Sequence, residues 1–235
     1  MIYAMSDLHG CYDKYIKMLK KINFSDNDTL YILGDIVDRG PDGIKILKDI
    51  IKRQNVIVIE GNHDYSASRI LRMFFMPADD SEYETAKSLY AFWRIDGGKP
   101  TYESFVLLPP EEQKKILSYM NSFLIYDEIS VNGNTFFMAH TVPERERMHN
   151  FKNLFRQEFI AGEPEYEKIY FDDKLIVTGH TPTGFIDPEY KGRIMQKNNH
   201  IAIDCGAVFG NPLGCICLDT LEEFYVEENC NEFNR

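Results

Sequence analysis

Several short apolar runs in this chain lead directly to a residue that can bind a metal ion or move a proton. Ile2–Met5 runs into Asp7 and His9, Thr29–Leu33 into Asp35 and Asp38, and Val56–Ile59 into Asn62 and His63. Further on, Thr135–Ala139 is followed by His140 and Leu175–Thr178 by His180. The first three runs alternate with segments of helical spacing: Tyr12, Tyr15, Ile16, Leu19 and Ile22, then Ile44, Leu47 and Ile51 after the Pro41-Asp42-Gly43 opening. A βαβαβ rhythm implies a parallel sheet with covering helices. Near-continuous apolar strands are what a sheet buried on both faces demands. The carboxyl ends of parallel strands open on one edge, so the pattern brings Asp, His and Asn from five segments to one crevice. Any one of these residues could be an ordinary turn residue. Together they read as a metal-binding set.

The middle of the chain changes character. Ile70, Leu71, Phe74 and Phe75 follow helical spacing up to a break at Pro77–Ser81; Leu89, Phe92 and Trp93 mark a second helix, and Pro110-Glu111-Glu112 opens a third. Residues from about 66 to 121 are therefore expected to form a helical insertion in a single domain. Strands are predicted at Leu124–Ile129 and Thr135–Ala139, joined across Asn132-Gly133 as a hairpin, and at Ile201–Asp204, Gly214–Leu218 and Phe224–Val226. Within 73–76, Met-Phe-Phe-Met could serve insertion core or line a groove beside the site. His149 and His200 stand outside any motif and read as structural or exposed, and Arg145 and Arg147 read as a solvated charged face. Asp204-Cys205-Gly206, at the end of another strand, could shape the pocket floor or simply turn the chain.

Taken in order, the motifs are Ser6-Asp7-Leu8-His9-Gly10, Gly34-Asp35-Ile36-Val37-Asp38-Arg39-Gly40, Gly61-Asn62-His63-Asp64, Ala139-His140 and Gly179-His180-Thr181. This set resembles the calcineurin-like metallophosphoesterases, and the Val-Asp-Arg-Gly extension resembles their phosphoprotein phosphatase branch. Gly97-Gly98 with Thr101, and Asn153-Leu154-Phe155-Arg156, are similar to bacterial and phage members. Ser6, Asp64 and Thr141 depart from the usual residues, at positions that supply no metal ligand. The resemblance implies an α/β (α+β) fold, a two-sheet β-sandwich flanked by helices with metals at the sheet edges. It implies Asp7, His9 and Asp35 on one divalent ion and Asp35, Asn62, His140 and His180 on a second, with Asp35 bridging. Oxygen and imidazole donors without thiolates suit manganese first, with iron, zinc or magnesium as alternatives. Two such ions can share a water, lower its pKa and hold it in line with phosphorus. Arg39 and Arg156, with Asn62, are the candidates to hold the phosphate. His63 would protonate the leaving oxygen, oriented by Asp38.

The activity expected from the resemblance is hydrolysis of phosphomonoesters, in phosphoproteins at serine or threonine and also tyrosine. The alternative is symmetrical dinucleoside tetraphosphate hydrolysis, and a third reading is a non-catalytic binding module. A formal net charge of −11 disfavours a nucleic-acid partner, which would require a basic face. That leaves a phosphorylated protein or a small phosphate ester. No signal peptide is visible and no apolar run reaches the ~20 residues of a membrane span. Five scattered cysteines without a C-x-x-C pair read as free thiols in a cytoplasmic protein, Cys11 lying nearest the motifs.

Overall fold

The computed structural model describes residues 1–227. The three leading runs become β1 (Ile2–Met5), β2 (Thr29–Leu33) and β3 (Val56–Ile59), pairing in parallel with Ala4 opposite Tyr31 and Leu33 opposite Ile59. Helices α1 (Tyr12–Lys21) and α2 (Gly43–Ile50) form the crossovers. Four helices follow before the chain returns to strand: α3 (Asn62–Phe75), α4 (Asp80–Trp93), α5 (Lys99–Val106) and α6 (Pro110–Met120). The hairpin β4 (Tyr126–Val131) and β5 (Asn134–Ala139) comes next, then α7 (Arg145–Met148), α8 (Arg156–Ile160), β6 (Leu175–Thr178) and α9 (Thr183–Ile186). The last strands are β7 (Met195–Lys197), β8 (His200–Ala202), β9 (Leu213–Cys217) and β10 (Glu223–Val226).

These strands form two mixed five-stranded sheets, ordered β10-β9-β1-β2-β3 and β4-β5-β6-β8-β7. Side-chain alternation explains why the runs are apolar throughout. Ala4, Tyr31, Leu33 and Ile216 point into the space between the sheets, where they meet Phe136, Met138, Val177 and Ile201. Their neighbours Met5, Leu30, Ile32, Cys215 and Cys217 face the other way, into the core shared with α1, α2, α3 and the helices that follow. A third cluster, with Phe137, Ile176 and Phe159, covers the outside of the second sheet. The two sheets are tied by Tyr31, whose hydroxyl donates to Asp127 Oδ2 at 2.8 Å.

Several boundaries differ from those read in the sequence. Leu124 pairs as a single parallel bridge with Ile59 of the first sheet, and the chain crosses to the second sheet only afterwards, so β4 starts at Tyr126. Strand β7 is largely polar, and its signal is the Asn198-Asn199 turn, both residues left-handed as a tight hairpin requires. Helix α3 begins at Asn62 rather than near 66, because Asp64 caps it by accepting the Gly61 N–H at 3.2 Å. Phe74 and Phe75 join an aromatic cluster with Tyr90, Tyr102 and Phe105, as an insertion core would. Met73 and Met76 line a groove. The free-thiol expectation holds for Cys205, Cys215 and Cys217 among the described residues. Cys230 lies outside the described residues. No helix among the described residues is long and apolar enough to cross a membrane.

Candidate active site

The crevice is built by two sheet edges rather than one. Loops after β1, β2 and β3 deliver Asp7, His9, Asp35, Asp38 and Asn62, while β5 and β6 of the second sheet deliver His140 and His180. Backbone bonds lock the loops together: Asp7 N–H donates to Gly34 O at 3.0 Å, His9 N–H to Asp35 O at 2.8 Å and Gly179 N–H to His140 O at 2.9 Å. Asp7, His9, Asp35, Asp38, Arg39 and His180 all hold left-handed backbone, with φ between 39° and 70°. Such conformations cost ~1–3 kcal/mol each and persist only where surroundings impose them, which is typical of functional loops. Gly61 is required by close approach, since a Cβ there would lie 2.1 Å from Asp35 Oδ1.

Two groups of donor atoms result, one from His9, Asp35 and His63 and one from Asp35, His140 and His180; within each group they lie within 4.8 Å of one another. Asp35 belongs to both. His140 donates from Nδ1 to Leu33 O at 2.7 Å, which in the neutral ring leaves Nε2 as a lone pair 3.2 Å from Asn62 Oδ1 and 3.1 Å from His180 Nδ1. His180 Nδ1 and Asn62 Oδ1 are 3.1 Å apart. His9 donates from Nδ1 to Val37 O at 2.9 Å, so its Nε2 is likewise a lone pair, 3.5 Å from Asp35 Oδ2. Asp7 lies in neither group. Its Oδ2 accepts the His180 N–H at 2.9 Å, and its buried Oδ1 has no partner. An orphaned carboxylate oxygen and converging lone pairs, most of them buried, are what cation ligands look like.

Protonation follows the same layout. Burial raises Asp7 to about 6. Burial acts on Asp35 in the same direction, but His140, His63, His9 and His180 outweigh it and hold its carboxyl well below the usual range. Burial lowers His9 to about 3 and His180 to about 4, keeping both neutral, as ligation requires.

The remaining predicted residues separate. Asp38 Oδ2 faces His63 Nδ1 at 2.9 Å. Burial lowers His63, but Asp35 and then Asp38 prevail and raise it to about 9. Arg39 places Nη1 2.6 Å from His9 Nε2 and Nη2 3.0 Å from His63 Nε2, so it stands at the mouth of the site. Arg156 is engaged with residues that flank Asn62: its Nη1 donates to Glu60 at 2.9 Å, and its guanidinium sits 5.5 Å from the Tyr65 ring centroid. Arg145 donates to Ile169 O and Arg147 to Glu158, on a solvated face as expected.

Sequence reading missed what holds Asp38. The Trp93 indole and the Thr101 hydroxyl both donate to its carboxylate at 2.7 Å. The only signal was that a buried Trp N–H must find an acceptor. Arg39 N–H donates to Gly97 O at 2.8 Å, and a Cβ at Gly97, where φ is 106°, would lie 2.8 Å from Arg39 Cγ.

A family model for calcineurin-like phosphoesterases matches residues 1–209. The chain belongs to that family. Relatives of similar sequence include the symmetrical bis(5'-nucleosyl)-tetraphosphatase of Wigglesworthia glossinidia brevipalpis, 45% identical over 64 residues. That match spans only 26% of this chain and 24% of the relative. The asymmetrical bis(5'-nucleosyl)-tetraphosphatase of a Geobacillus species is 26% identical over 243 residues, covering 90% of this chain and 88% of its own. Among solved structures, a candidate diadenosine tetraphosphatase gives a TM-score of 0.66 at 16% identity, covering 96% of this chain and 92% of that one, a likeness of fold. This chain is thus a calcineurin-like phosphoesterase, an enzyme of phosphate ester hydrolysis, with residues able to hold metal ions.

Proposed function

We propose that this phosphoesterase hydrolyses dinucleoside tetraphosphates, with two divalent cations bound by Asp7, His9, Asp35, Asn62, His140 and His180. The observation that carries the substrate is the alignment along nine-tenths of the chain to a relative named as such a tetraphosphatase. The phosphoprotein reading expected from the sequence takes second place.

Bound there, the cations would draw charge from the phosphoryl oxygens and lower the pKa of water. The chain's own residues do the rest. Asp35 spans both donor groups and fixes their separation. Arg39 reaches the site from the side of His9 and His63, and its fork geometry suits two phosphate oxygens. When Arg39 turns to phosphate it leaves His63 Nε2, whose proton it otherwise opposes. His63, held through Nδ1 by Asp38, then carries a proton on Nε2 toward the leaving oxygen. That same pair is the observation favouring the second reading, since a serine or threonine alkoxide needs an acid more than a nucleotide does.

Incubating the manganese-loaded protein with diadenosine tetraphosphate and a phosphopeptide panel separates the two. We expect nucleotide release at the higher kcat/KM. Phosphopeptide turnover with an intact tetraphosphate would overturn the proposal.

A further inference from the structure

The face of α3 that begins at a site residue continues as a basic groove. Asn62, Tyr65, Arg69, Arg72 and Met76 are spaced three, four, three and four residues apart, and so form one stripe along the helix. Asn62 heads it, with its Oδ1 3.1 Å from His180 Nδ1. The next four line a cavity of about 710 Å³, whose other wall includes Lys114 of α6 and Arg156 of α8. At 1.5 Å per residue, Arg72 lies about 15 Å along the helix from Asn62.

Charge makes this groove unusual in so acidic a chain. Its lining has four cations, Arg69, Arg72, Lys114 and Arg156, against two carboxylates, Glu60 and Glu82, while the whole chain carries −11. The carboxylates are already used, Glu60 on Arg156 and Glu82 on Arg72. Among the described residues Arg69 and Lys114 have no acidic partner; Arg69 donates to the Tyr65 hydroxyl at 3.0 Å. Both side chains are exposed. Cations left over in a concave surface beside a phosphate site concentrate anions.

We propose that this groove binds the polyphosphate chain of the substrate beyond the phosphate held at the metal-ligand groups, with Arg69 and Lys114 as its principal contacts. It rests on the tetraphosphate reading for its biological ligand, but its chemistry stands apart. A serine or threonine phosphomonoester has no further phosphate to place there, whereas a dinucleoside tetraphosphate has several. The groove therefore acts on substrate choice, through affinity for the distal phosphates.

The test compares inorganic tripolyphosphate with orthophosphate, each as a competitive inhibitor of aryl phosphate hydrolysis by the metal-loaded protein. In the Arg69→Gln, Lys114→Gln double variant, the inhibition constant for tripolyphosphate should rise at least tenfold, and that for orthophosphate less than twofold. The wild-type preference should also shrink in high salt, because exposed charges are screened. With diadenosine tetraphosphate as substrate, KM should rise about tenfold while kcat stays within twofold. Arg69→Lys should restore part of the affinity, which a merely structural role would not. Unchanged tripolyphosphate inhibition, or an equal loss for both anions, overturns the groove assignment even if the tetraphosphate is hydrolysed. A dependence on Arg69 and Lys114 seen only with acidic phosphopeptides overturns it too. If the wild type ignores diadenosine tetraphosphate yet shows the tripolyphosphate effect, the groove stands and the tetraphosphatase reading falls.

Discussion

Trp93 donates its indole N–H to the Asp38 oxygen that also faces His63, at 2.7 Å from the tryptophan and 2.9 Å from the imidazole. Thr101 donates to the other oxygen at 2.7 Å and accepts the Asp38 N–H at 2.9 Å. The carboxylate that orients His63 is thus immobilised from α4 and α5, within the helical segment that interrupts the strands. Trp93→Phe keeps the buried ring and removes the donor. Hydrolysis of an alkyl phosphate should fall roughly 10–100-fold, the range for losing an orienting partner. An activated aryl phosphate, which needs little acid, should lose less than threefold. Equal losses on both would mean that Trp93 only packs.

His63→Asn tests the acid itself. Removing a general acid costs ~10²–10⁴-fold where protonation of the leaving group matters. That loss should appear in kcat on an alkyl phosphate and shrink on an aryl phosphate of low leaving-group pKa. Metal content by elemental analysis should match wild type. A missing ion would place His63 among the ligands, beside His9 and Asp35 with which it clusters.

How much of this was readable beforehand follows from the physics of each part. The strands β1, β2 and β3 were legible because doubly buried parallel strands are uninterrupted apolar runs with loops at fixed points. The motif residues at those loops were legible for the same reason, and the structure gathers Asp35, Asn62, His140 and His180. The site's division between two sheets was not visible in the strand pattern, since periodicity says which way a side chain points but not which sheet a strand joins. Trp93 read only as part of a helix; it is 4% exposed, and its N–H partner 55 residues away left no local mark. Arg156 followed a motif, but its partner Glu60 is fixed by tertiary packing alone.

Arg39 can be probed through the residue that positions it. Gly97→Ala puts a Cβ where only 2.8 Å separates it from Arg39 Cγ, at a φ that L-residues avoid. Both Gly97→Ala and Arg39→Ala should weaken inhibition by orthophosphate several-fold and lower kcat/KM, with metals retained. Wild-type inhibition in Arg39→Ala would exclude it as a phosphate clamp. The same assay on Arg156→Ala asks whether a side chain paired to Glu60 touches substrate at all.

Asp35 offers an oxygen to each donor group, Oδ2 3.5 Å from His9 Nε2 and Oδ1 3.6 Å from His140 Nε2. Asp35→Asn removes the charge that both groups share, so elemental analysis should find substoichiometric metal at both positions, and activity should fall by more than 10³-fold. Asp7→Asn should weaken only one. Two tightly held ions in Asp35→Asn would show that Asp35 does not bridge.

His200 sets a stability limit away from the chemistry. Its ring is buried, Nε2 lies 2.8 Å from the Thr178 hydroxyl, and Nδ1 has no partner. Burial lowers its pKa to about 3, against an ordinary 6.5. Between those values the unfolded chain takes up a proton that the folded chain refuses. The stability this contributes is complete above pH 6.5 and is lost as pH falls toward 3. His200→Gln keeps a partner for Thr178 and removes the titration. Urea midpoints of chelator-treated wild type and variant, at pH 7.5 and 4.5, isolate the effect, because other titrating groups are common to both. The wild type should lose about 2.7 kcal/mol more than the variant over that interval. A difference between the two proteins that is independent of pH would mean that His200 takes up its proton equally in both states, and that acid instability arises in the metal-ligand groups instead.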